Sequence, residues 1–158
     1  MLPFALAIAF GLAAAAGEDP VPPRDTRSVS STSNNKETGQ MKIRLKLGGA
    51  TATATLLDSR ASRDFWSLLP LTLKMNDLFR REKYGRLPRP ISEEGKRTHS
   101  YEIGDIAYWP PSSDLAVYYR HDGETIPEPG IIVLGRIDSG VETFAFSGSR
   151  IVTTERVE

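Results

Sequence analysis

Two stretches hold the residues best suited to chemistry. The first, GDIAYWPPSSDLAVYYR over 104–120, places Tyr108, Trp109, Tyr118 and Tyr119 around Pro110-Pro111. Neighbours on a strand point to opposite faces, so one ring of each pair belongs to a core and the other to an outer face. Two outward rings beside a double proline would make a shallow apolar platform for a peptide or small molecule. The preferred reading is plainer: the rings cover an otherwise open sheet face, since burial is the default use of aromatic side chains. The second stretch, FRREKYGRLP over 79–88, holds Glu82, Lys83 and Tyr84 in a charged segment just past a strand. Glu82 could take a ligand amine, or pair with Arg80, Arg81 or Arg86. A solvated charged turn is the simpler expectation, because exposed ion pairs contribute less than about 1 kcal/mol.

Other chemistries find little support. The chain has no cysteine, which excludes disulfides, thiolate metal sites and cysteine nucleophiles. Its two histidines, His99 and His121, lie in polar turns with no second ligand at metal spacing, so no metal site is expected. Ser100, His99 and Asp105 could be drawn as a triad, but no nucleophile elbow supports it. Asp105, after Gly104, is expected to accept turn amides at a strand start. Gly48-Gly49 is not part of a phosphate loop, and no cofactor is expected. Twenty basic and twenty acidic side chains cancel, leaving no electrostatic footprint for nucleic acid.

The 158 residues suffice for one ordinary domain. Leu2–Ala16 is almost continuously apolar, too short for a normal membrane span, and ends in Ala14-x-Ala16. This reads as a cleaved export signal over 1–16, with no stable membrane anchor, and places the protein in the periplasm or outside the cell. Residues 17–40 contain two valines and no other large apolar side chain, so they are expected to be a disordered linker. The folded unit is expected over 41–157, as a monomer.

Ile43, Leu45 and Leu47 alternate with Lys42, Arg44 and Lys46, the pattern of a half-buried strand. Gly48-Gly49 turns it into ATATATLL. The small Ala face of that second strand predicts a neighbour packed close to its backbone. Ala61, Phe65, Leu68 and Leu69 form one helical stripe, opened by an Asp58 or Ser59 cap and stopped at Pro70. Strand patterns follow at 71–79, 106–109, 115–120 and 131–137, with two more at 143–146 and 150–155. The segment 80–100 reads as charged and turn-rich. GIIVLGRI is apolar on both parities and should be covered on both faces. Many short strands, one or two short helices and frequent turns predict a mostly β barrel or sandwich.

The order of these elements resembles cyclophilins. KIRLKLGGATATATLL followed by SRASRDFWSLL matches their first hairpin and the helix after it. GIIVLGRIDSGVE is similar to their late strand of Val-Val-Phe-Gly-x-Val-x-x-Gly type. LPLTLKMNDLFRREKYGRLP and GDIAYWPPSSDLAVYYR resemble a smaller bacterial and archaeal set, the cyclophilin-like fold proteins, in which Glu-Lys-Tyr-Gly recurs. The resemblance implies a compact antiparallel barrel with helical caps.

Cyclophilins are prolyl isomerases that aim a third-strand arginine at the prolyl nitrogen. Here that strand is LPLTLKM, without arginine, and Leu73 or Lys74 falls near the expected place. A compact ammonium lacks the planar fork of a guanidinium. The Phe-x-x-Gln-Gly-Gly-Asp stretch of the family is replaced by NDLFRREKYG. The expectation is therefore a binding module without efficient catalysis, taking a peptide or small molecule between LTLKMNDLFRREKYG and GDIAYWPP. Lys74, Met75, Glu82, Tyr84, Tyr108 and Tyr118 are the candidate site residues. A weak isomerase with Lys74 as donor is one alternative. A structural domain serving an envelope partner is another, and it predicts no exposed cleft.

Overall fold

A computed structural model describes residues 39–158. The export signal expected at 1–16 and most of the linker expected at 17–40 lie outside the described residues. Strands β1 (Lys42–Leu47) and β2 (Ala50–Leu56) form the first hairpin, with Leu47 opposite Ala50. Gly48 makes the turn at φ 63°, a backbone conformation that glycine reaches without penalty. Helix α1 (Arg60–Ser67) follows, and Ser59 Oγ caps it by accepting from Ser62 N at 3.1 Å. Ala61 and Phe65 are fully buried, and Ser62 Oγ donates to Leu134 O at 2.8 Å, which ties the helix to the sheet. Burying one phenylalanine ring of this kind contributes roughly 2–3 kcal/mol.

Strands β3 (Leu71–Leu78), β4 (Glu82–Arg86), β5 (Lys96–Thr98), β6 (Asp105–Trp109), β7 (Asp114–Tyr118), β8 (Ile131–Ser139) and β9 (Arg150–Arg156) complete the set. Their order is β2-β1-β9-β3-β4-β7-β6-β8, and β8 pairs again with β2. The result is a closed antiparallel barrel of eight strands, with β5 added on the far side of β8. At the closing seam a Cβ on Gly135 would stand 2.5 Å from Thr55 O, so only glycine fits. The barrel is filled by inward residues such as Ile43, Leu45, Met75, Ile106, Tyr108 and Val117. β8 is buried on both faces from Ile131 to Gly135, as its double-sided apolar pattern predicts.

Two expectations are corrected. The charged segment 80–100 contains β4 and β5. Its charges mask the strand because Glu82 and Lys83 are buried and paired rather than solvated. The strand expected at Thr143–Phe146 is instead a 3-10 turn over Val141–Phe144. Gly140 at φ 85° starts it, and Thr143 Oγ1 closes back on Gly140 O at 2.7 Å. This turn packs against β2 and sends Phe144 into the core, which explains the small alanines there. A Cβ on Gly140 would lie 3.0 Å from Ala52 Cα.

A second, smaller core lies outside the barrel. Ala107, Ala116 and Tyr118 project outward from β6 and β7 and are covered by Tyr101, Ile126 and Ile131. The segments around 99–104 and 121–130 fold over that face, joined where Ile126 N donates to His99 O at 2.8 Å.

Candidate functional site

The outer face of β4, β7 and β6 carries a cleft of about 340 Å³. Strand register builds it in rows. Glu82 lies opposite Tyr118; Tyr84 lies opposite Ala116, which lies opposite Ala107; Arg86 lies opposite Asp114, which lies opposite Trp109. The middle row is small at Ala116 and Ala107, so the floor drops there between two taller rows. Tyr84 forms one wall, and Ile126, Pro127 and Ile131 line the cleft as well. Tyr84 and Trp109 are half-buried, leaving ring area available to a ligand.

The β3–β4 connection shapes one end. Phe79 and Arg80 both hold positive φ, at 54° and 56°. Side chains other than glycine rarely occupy this region, at a cost of order 1–3 kcal/mol each. The turn thrusts Phe79 outward, 69% exposed, and carries Arg81 back over the sheet. Arg81 is buried, with its Nε 3.2 Å from Glu82 Oε2 and its Nη1 3.2 Å from Asp122 Oδ2. Its guanidinium stands 5.2 Å from the Phe79 ring centre and 5.4 Å from that of Tyr101. Tyr101 donates to Asp122 Oδ1 at 2.7 Å, and its ring stacks on Tyr118 at 4.3 Å and on His121 at 4.7 Å.

Burial sets the electrostatics. It pushes the Glu82 carboxyl above its ordinary range, and the opposing pull of Arg81 does not cancel it. Burial, then the Glu82 charge, raises the Tyr118 phenol strongly. Asp122 is held below the usual carboxylate range by the Tyr101 hydroxyl first and by Arg81 further on. The arrangement can grip an apolar ring over Ala116 and offer it a carboxyl at one end. Ser112, at the other end, is engaged with Asp114, and no histidine lines the cleft.

The structure brings Glu82, Tyr84 and Tyr118 together in this cleft. It places the other three candidates elsewhere. Met75 and Tyr108 are each 1% exposed and point into the barrel, where the Tyr108 hydroxyl lies 3.4 Å from Ile91 N and from Ser113 Oγ. Lys74 is exposed on β3, away from the cleft. Parity is the reason for Met75 and Tyr108, and strand position for Lys74: Tyr108 shares a face with Ile106, so its neighbour Trp109 faces the cleft. That signal was present in the alternation of Ile106 with Ala107. Arg81 is one of the partners open to Glu82, but Tyr101 and Asp122 carry no such signal, because loop closure brings them to Arg81 from distant positions. The Ser100, His99 and Asp105 trio does not assemble: Asp105 takes Arg136 at 2.8 Å and Glu102 N at 2.9 Å, while His99 Nδ1 lies 3.0 Å from Ile126 O. Among the described residues no group of three metal-ligating side chains occurs.

The family model described as the cyclophilin-like family matches residues 45–155. Among curated proteins none matches the chain. Among solved structures, the solution structure of a hypothetical protein from Archaeoglobus fulgidus is similar, with a TM-score of 0.61 and 22% identity. The match covers 75% of this chain and 95% of the archaeal one, and at that identity it speaks for the fold.

Proposed function

Because the chain belongs to the cyclophilin-like family, we propose that its barrel is a binding module for a peptide segment or small molecule, without efficient catalysis. The observation that supports this is the cleft over Ala116, walled by rings and ended by the buried Glu82–Arg81 pair. A ligand fitting it has a flat apolar body and a hydrogen-bond donor for Glu82. The body would displace water from the Tyr84 and Trp109 rings, and the donor would fix its direction. An open cleft also speaks against a purely structural domain. The apolar run Leu2–Ala16 with its small-residue end supports export, and sequencing the mature N-terminus tests that: cleavage after Ala16 is expected, and an intact Met1 would contradict it.

The second reading is a weak isomerase. It needs a donor aimed at a prolyl nitrogen, to weaken an amide whose rotation barrier is about 18–20 kcal/mol. Lys74 does not reach the cleft, and Arg81 already spends Nε on Glu82 and Nη1 on Asp122. Two-dimensional NMR of the full chain with proline-containing peptides separates the readings. Shifts at Tyr84, Ala116 and Trp109 without faster cis/trans exchange are expected, weakened in Glu82→Gln. Accelerated exchange lost in Arg81→Lys would make the protein an isomerase. No shift with peptides or with a panel of aromatic amides would end the binding reading.

A further inference from the structure

A second cavity, of about 270 Å³, opens at the barrel end beyond the β3–β4 turn. Arg80, Arg120, Tyr119, Phe146 and Ser147 line it, with Asp77 as the one carboxylate of its lining. Asp77 already accepts three hydrogen bonds. Lys83 Nζ donates to its Oδ1 at 2.6 Å, the Tyr119 hydroxyl donates to the same oxygen at 2.5 Å, and Arg80 N donates to Oδ2 at 3.1 Å. Lys83 is fully buried and also donates to Phe146 O at 2.5 Å.

The arginines are the unusual part. Most arginines on this surface face a carboxylate, as Arg63, Arg89, Arg97 and Arg136 do. Among the described residues, Arg80, Arg120 and Arg150 make no ion pair and no side-chain hydrogen bond; Arg44 on β1 is the other such arginine. Three of these four gather here. Arg80 and Arg120 line the cavity, and Arg150 stands 4.7 Å from the Phe146 ring centre, with Lys83 Nζ 4.1 Å from the same ring. With Asp77 balanced by Lys83, the uncompensated charges at this mouth are the cations Arg80 and Arg120, with Arg150 next to the Phe146 ring that lines it. The backbone of Arg80 is held at φ 56°, so its place on the rim is built into the turn.

We propose that this barrel mouth binds the phosphate group of a small molecule between Arg80 and Arg120. Guanidinium forks match a phosphate bidentately, and two exposed forks with free donors supply the contacts without first breaking an ion pair. The cavity is larger than a bare phosphate needs, which leaves room for a small organic group on the ester oxygen. This site is separate from the aromatic cleft and does not depend on the function proposed for it.

The test is an NMR titration of the full chain with inorganic phosphate and with phenyl phosphate, against chloride at matched ionic strength. Saturable shifts at Arg80, Ser147 and Gly148 are expected with both phosphates, while Tyr84 and Ala116 stay still. Tighter binding of phenyl phosphate would identify an ester as the ligand, and equal binding the free ion. The double variant Arg80→Asn, Arg120→Gln, which keeps a residue tolerant of positive φ at 80, should weaken binding on the order of tenfold or more. Equal shifts with chloride, or unchanged affinity in the double variant, would overturn the proposal.

Discussion

The two cavities lie on opposite sides of one turn and are built from opposite materials. Phe79 and Arg81 serve the cleft, and Arg80 between them serves the mouth. In the cleft the charges are buried, paired and surrounded by rings, so a ligand meets apolar surface first. In the mouth the charge that matters is exposed and unpaired, so a ligand meets cations first. One hairpin connection, held at two positive φ values, therefore sorts adjacent side chains into two kinds of recognition.

The sharpest way to break this contrast is to remove the counter-charge at the mouth. Asp77→Ala leaves Lys83 fully buried with a single carbonyl partner. A loss of about 3–5 kcal/mol in denaturant unfolding is expected, the cost of an orphaned buried charge. A loss near zero would mean that Lys83 escapes to solvent.

Arg81→Met is the matching change in the cleft. Glu82 then stays buried without its cation, and about 2–4 kcal/mol should be lost. The loss should shrink when Glu82→Gln is added, because the neutral amide needs no counter-charge. A double variant as unstable as the sum of the singles would show that the two residues are not coupled.

Tyr101→Phe should cost least, on the order of 1 kcal/mol for its hydroxyl, since the stack on Tyr118 survives. Its heteronuclear relaxation should show a looser 121–125 segment. An unaltered segment would locate the anchor elsewhere.

The subtlest contrast is in pH. Burial raises Glu82 and is not offset, so its folded form binds a proton more tightly than the unfolded chain does. Its contribution to stability is present below the ordinary value of 4.5 and declines as pH rises through the folded value. Burial also acts on Asp77, but the Lys83 and Tyr119 hydrogen bonds outweigh it and hold it low. Its contribution is present above 3.8 and is lost as pH falls through the folded value. Glu82→Gln should therefore flatten the decline above pH 4.5, and Asp77→Asn the loss at the acid end. Identical stability profiles in the two variants would refute the assignment.

Much of the scaffold is legible in the residues. The Gly48-Gly49 hairpin, the Ser59-capped helix and the doubly buried β8 follow from local period and turn chemistry. β4 is hidden because EKYGR reads as solvent-facing, whereas in the fold its charges are buried and neutralised: by Asp77 across the β3–β4 turn for Lys83, and by adjacent Arg81, itself tied to distant Asp122, for Glu82. Half of the candidate residues share the cleft because Glu82, Tyr84 and Tyr118 have the same outward parity. Met75 and Tyr108 have the opposite parity, and Lys74 faces out from a strand on the far side of β4. Tyr101 and Asp122 reach the site only when loops fold over the second core. No spacing rule encodes that step.

Barrel closure has a consequence in time. The first hairpin is sealed on one side by β9 and on the other by β8, the last two strands of the chain. No ring can form until both have been made, so the decisive pairings join the most distant parts of the sequence. Folds dominated by such pairings form slowly, in about milliseconds to seconds. A chain emerging N-terminus first thus stays open until its last strands arrive, and the barrel shuts only after they pair.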